Sequence, residues 1–83
     1  MPLEQLRKAR TKTIGTKQTL KAIDKGKAKT VFVALDADEK VVREVLRGCQ
    51  EKSIPVVRAE SMAVLGKACG IEVGAASAAI VED

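Results

Sequence analysis

Eighty-three residues suffice for one domain and no more. Apolar residues make up 46% of the chain, which favours a packed globule over a disordered tail, and no membrane-length apolar run or signal-peptide pattern is visible, so a soluble cytoplasmic protein is expected. The net charge of +4 hides an asymmetry, +7 over residues 1–30 against −3 over residues 31–83, the footprint of a chain that grips a polyanion with one face.

In chain order, Leu3 to about Arg10 reads as a short amphipathic helix, with Leu3 and Leu6 at helical spacing. Thr13-Ile14 is a brief strand leading to Gly15. A second helix is expected from about Thr16, as N-cap, to Lys25, with Gly26 as its left-handed stop. Its apolar side is Leu20, Ala22 and Ile23, while Lys17, Lys21 and Lys25 recur every fourth residue on another face. Thr30 to Leu35 is a continuous apolar and β-branched run, as in a strand covered on both sides. Asp36-Ala37-Asp38 is a turn, with Asp38 or Glu39 serving the next helix, whose buried stripe is Val41, Val42, Val45, Leu46 and Cys49. A strand follows from Ile54 to Ala59. Ser61 caps a short helix bearing Met62, Leu65, Ala68 and Cys69, and Gly70 stops it. Ile71 to Gly74 is a loop, with Gly74 as a hinge. Alanine favours helix for the segment from Ala75 to Val81, but its closing Ala-Ile-Val and the helix–strand alternation favour a strand. The expected fold is α/β, a three-layer α/β/α sandwich around a small central mixed sheet, forming a single domain over residues 1–83.

The chemistry these residues permit is mostly that of binding. Without histidine the commonest general base is missing, and neither cysteine has an activating partner nearby in sequence. Cys49 and Cys69 are read as small buried hydrophobes, with no disulfide, metal site or cofactor expected. The segment Gly15-Thr16-Lys17-Gln18-Thr19-Leu20-Lys21 is the exception to blandness. A helix N-terminus carries about half a positive charge and prefers acidic neighbours, yet this one offers Lys17, Gln18 and Lys21. Free backbone N–H groups beside lysines suit phosphate. The sole aromatic, Phe32, falls in a buried strand, which excludes the stacking platforms of RRM and OB domains. What remains is recognition of a folded RNA shape by a helix end and loops. Ile71 and Val73, flanking Glu72, are either plugs over the core or an apolar ledge for an unstacked base or ribose.

Taken with Ala34-Leu35-Asp36-Ala37-Asp38 and Leu65-Gly66-Lys67-Ala68-Cys69-Gly70-Ile71-Glu72-Val73, the Gly15 to Ala22 segment resembles the kink-turn-binding ribosomal-protein family (ribosomal protein L-seven-Ae and relatives), and most closely its small bacterial members of the YbxF type. The resemblance covers essentially the whole chain. It implies a protein that binds and stabilises kink-turns in structured RNA such as ribosomal or riboswitch RNA: a duplex bent at a bulge and stacked on tandem sheared G·A pairs. No large exposed apolar stripe demands a partner, so a monomer is expected. By position, Lys17, Gln18 and Lys21 are expected to contact G·A bases and nearby phosphates, with backbone groups of Gly15 and Thr16. Asp38 is expected near the extruded nucleotide, with Ile71, Glu72 and Val73 covering the bulge. Archaeal and eukaryotic relatives commonly carry Asn-Glu where Lys17-Gln18 stand, and lysine where Met62 stands. The alternative reading is a protein-interaction or scaffold module whose basic face meets an acidic partner. A nucleotide-binding enzyme is the third, for which the sequence offers no nucleophile and base.

Overall fold

A computed structural model describes residues 3–81, and its elements follow the order α1 (Glu4–Lys8), β1 (Lys12–Ile14), α2 (Thr16–Asp24), β2 (Ala28–Ala34), α3 (Glu39–Lys52), β3 (Val56–Ala59), α4 (Met62–Cys69), β4 (Ser77–Val81). The sheet runs β1-β4-β2-β3, with β2 and β3 parallel and β4 antiparallel to both of its neighbours. The mixed sheet is therefore as expected, and the ambiguous alanine segment is a strand. Its small side chains suit that position: Ala78 and Ala79 are fully buried, and β4 is covered on both faces.

Side-chain alternation along β2 divides the core in two. Phe32 and Ala34 join Leu6 of α1 and Leu65, Ala68 and Cys69 of α4 on one face. Val31 and Val33 join Ala22 and Ile23 of α2 and Val45 and Cys49 of α3 on the other. Two helices cover each face, which completes the three layers. The α3 stripe is narrower than its sequence spacing suggests, since Val41, Val42 and Leu46 are only half-buried.

Several boundaries move, each for a local reason. The α1 helix stops at Lys8, where Ala9 turns extended, and Lys12 donates to the Leu6 carbonyl at 3.2 Å. β2 gains Ala28 at its start and loses Leu35 at its end. A one-residue register shift between Ala28 and Thr30 marks a bulge opposite β4. Leu35 lies in the turn after β2 and is 63% exposed, so that residue departs from the two-sided burial expected of the whole run.

Candidate nucleic-acid interface

Because β2 and β3 are parallel and β4 runs against them, the C-terminal ends of β1, β2 and β3 share one edge of the sheet with the start of β4. The N-termini of α2, α3 and α4 and the loop before β4 gather there. In open α/β sheets this is the edge where loops and helix ends make sites.

The α2 end is tied into that edge from below. The Gly15 N–H donates to the Ser77 carbonyl at 2.9 Å, and the Thr16 and Ser77 hydroxyls share a hydrogen bond of 3.1 Å. Deeper, Thr13 and the fully buried Thr19 pair through their hydroxyls at 3.0 Å. Thr16 is thus not the N-cap expected of it; its hydroxyl faces β4 and it forms the first helical residue. Gly15 is the N-cap, at φ +93 and ψ 155, a backbone region essentially reserved for glycine. Glycine has no side chain to offer the helix, so the N–H groups of Thr16, Lys17 and Gln18, which precede the first helical bond from Thr19 to Gly15, receive no side-chain cap.

No acidic residue lies in the first turn of α2. Lys17, Gln18 and Lys21 are exposed, and the ion pairs among the described residues, Glu4–Lys8 and Glu39–Arg43, involve none of the α2 lysines. Two lysines and a set of free N–H donors therefore point at one patch of solvent without a protein anion to answer them. Such a patch can hold phosphate oxygens, and Gln18 adds both a donor and an acceptor able to read a base edge.

The other side of the edge is built around α4. The Ser61 hydroxyl accepts from the Val64 N–H at 3.1 Å, the expected cap. The Asp36 carboxylate reaches from the β2–α3 turn to accept from the Met62 N–H at 2.8 Å, a second cap supplied from outside the helix. Nothing in the sequence near α4 announces it. Asp38 caps α3 through the Lys40 N–H at 2.8 Å and stays exposed at the rim.

The 71–74 loop lies against α4 through two glycines. A Cβ on Gly66 would collide with the Val73 carbonyl, and one on Gly74 would sit 3.1 Å from the Met62 Cβ. Gly70, at φ +84, is the left-handed stop. The four-residue glycine spacing therefore combines one turn with two close approaches, and Gly74 is a contact rather than a hinge. Ile71 packs against the core as a plug, while Val73 is 71% exposed.

A chain of hydrogen bonds joins the two sides: Gly15 to Ser77, Ala34 N–H to the Ala76 carbonyl, Ala75 N–H to the Met62 carbonyl, and Met62 N–H to Asp36. Of the nine residues expected to form the site, Gly15, Thr16, Lys17, Gln18 and Asp38 lie at the helix N-termini of this edge, Lys21 lies further along α2, and Ile71, Glu72 and Val73 lie in the loop that returns from the end of α4 to β4. Cys49 and Cys69 are free and buried elsewhere, and burial raises both thiols, with Lys12 partly opposing the rise at Cys69. Among the described residues no group of acidic or sulfur side chains could hold a metal ion, and no helix is long and apolar enough to cross a membrane.

The family model described as ribosomal protein L7Ae/L30e/S12e/Gadd45 matches residues 2–83. The chain belongs to this family. This family member is 44% identical, over 81 residues, to an RNA-binding protein of Geobacillus sp. (strain WCH70), covering 98% of this chain and 99% of that one. RNA-binding protein YbxF of Geobacillus stearothermophilus stands at the same identity and coverage. Among solved structures, the Giardia lamblia 15.5kD RNA binding protein superposes with a TM-score of 0.85 at 29% identity, over 98% of this chain and 68% of that one.

Proposed function

We propose that this protein is a non-catalytic, monomeric RNA-binding protein that recognises and stabilises kink-turns in structured RNA such as ribosomal or riboswitch RNA. One observation carries the reading: an uncapped, lysine-bearing helix end and an apolar loop are hydrogen-bonded into one edge of the sheet. The family match and the RNA-binding names of the relatives support it.

In this reading the N–H groups at Thr16, Lys17 and Gln18 and the two lysines hold phosphates and base edges at the G·A pairs. Gln18 is the residue that discriminates bases, since lysine only donates. Asp38 faces the extruded nucleotide, and Ile71, Glu72 and Val73 cover the bulge. A surface that fits the bent RNA better than the open one shifts the RNA toward the bend by its difference in affinity. The test is a titration of a kink-turn duplex labelled on both arms, following the bend by energy transfer, with a matched duplex lacking the G·A pairs. A preference of at least about a hundredfold for the intact kink-turn is expected, equivalent to roughly 2.7 kcal/mol. Equal binding to both duplexes would sink the proposal and favour a scaffold role.

A further inference from the structure

Among the described residues the large hydrophobic side chains left exposed are Leu35, Val64 and Val73. Singly, exposed apolar residues need no explanation, but each of these three is fixed by a contact to α4 or to its cap. The Val64 N–H is bonded to the Ser61 cap, the Val73 carbonyl packs on Gly66, and Leu35 immediately precedes Asp36, which holds the Met62 N–H. Leu35 also leaves the sheet from one of its two inner strands. It follows the inner strand β2, its own N–H is bonded to the Ala59 carbonyl at 2.9 Å, and on the other side Ala34 is bonded to Ala76, next to the Ser77 that anchors α2. The turn is therefore braced from β3 and from α4, and its leucine is held out into solvent rather than left there by a loose loop.

We propose that Leu35 is a further contact residue of the RNA site, an apolar platform for an unstacked nucleobase just past the end of β2. The proposal rests on the kink-turn reading and extends it to a residue outside the expected set. A nucleobase fits better than a protein partner for two reasons. A stable protein interface buries about 800 Å² per side, far beyond three side chains. The exposed Lys17 and Lys21 of α2 also ask for a polyanion. With no aromatic on this surface, contact with a base face must come from aliphatic groups, and Leu35 is the longest of them that is exposed.

The experiment pairs Leu35→Ser, and the conservative Leu35→Met, with kink-turn RNAs made abasic at each bulge nucleotide in turn. Leu35→Ser should weaken binding to the intact RNA by about tenfold, while Leu35→Met stays within about twofold. At one abasic position the Leu35→Ser penalty should vanish, because the base it served is gone. A penalty that persists at every abasic position, or none on intact RNA, would overturn the contact while leaving the kink-turn reading standing. If wild-type protein fails to prefer the kink-turn at all, both fall. Thermal melts of both variants, expected within a few degrees of wild type for an exposed site, separate a lost contact from a lost fold.

Discussion

At the scale of single residues, the proposed site rests on one glycine and a few cations. Gly15 sits at φ +93 with nothing within 4 Å of where a Cβ would stand, so space is not what excludes a side chain there. The backbone conformation excludes it. Gly15→Ala should therefore destabilise the protein by about 1–3 kcal/mol in urea titration, and D-alanine at the same position, introduced by chemical synthesis, should recover most of the loss. An equal loss for both enantiomers would point to packing instead. Lys21 lies one turn into α2, exposed and outside any ion pair. If it meets a phosphate, Lys21→Ala should lower kink-turn affinity and reduce the slope of log affinity against log salt by about 1. An unchanged slope would remove that phosphate contact.

At the scale of elements, the α4 unit shows how a helix and a loop become one rigid part. Gly66 lets the Val73 carbonyl rest against the helix, and Asp36 caps α4 from a turn 26 residues earlier. Gly66→Ala must push the loop outward; a loss of about 1–3 kcal/mol in stability is expected from the overpacking, together with weaker RNA binding that Lys21→Ala does not explain. Asp36→Ala should cost about 0.5–2 kcal/mol, as for other lost caps, with Asp36→Ser recovering little because the shorter side chain does not span from turn to helix. Most elements were legible in the sequence because their signals are local: the Ser61 cap, the Gly26 and Gly70 stops, the β-branched run of β2. The features of the candidate site that were legible are local too: the glycine start and exposed lysines of Gly15 to Lys21, and the exposed Val73 of the 71–74 loop. Asp36 looked like a turn residue and no more, since its partner is brought to it by the fold. Thr16 reads as a cap because a hydroxyl before a helix normally serves as one, but in the fold Ser77 claims it. Leu35 continued an apolar run in sequence but stands past the end of the sheet, where alternation no longer decides burial.

At the scale of the molecule, both cores hold a cysteine, Cys49 under α3 and Cys69 under α4. Burial favours the neutral thiol, so each folded-state pKa lies above that of the unfolded chain. The sign follows: this contribution is complete below the unfolded thiol pKa of about 8.5 and is lost as pH rises through the raised folded values. The melting temperature should fall from pH 8 to pH 10, and Cys49→Ala/Cys69→Ala should fall less steeply over that interval. Parallel curves would mean that the thiols do not drive the decline. The whole fold also closes late. The strand that fills the gap between β1 and β2 is β4, and the bond that seats α2 spans 61 residues, from Thr16 to Ser77. A nascent chain emerging residue by residue can display Gly15 to Lys21 long before Ser77 exists to hold it. Until β4 is in place Ser77 cannot hold the end of α2, so in the proposed reading kink-turn recognition requires the completed sheet edge and not the first helices alone.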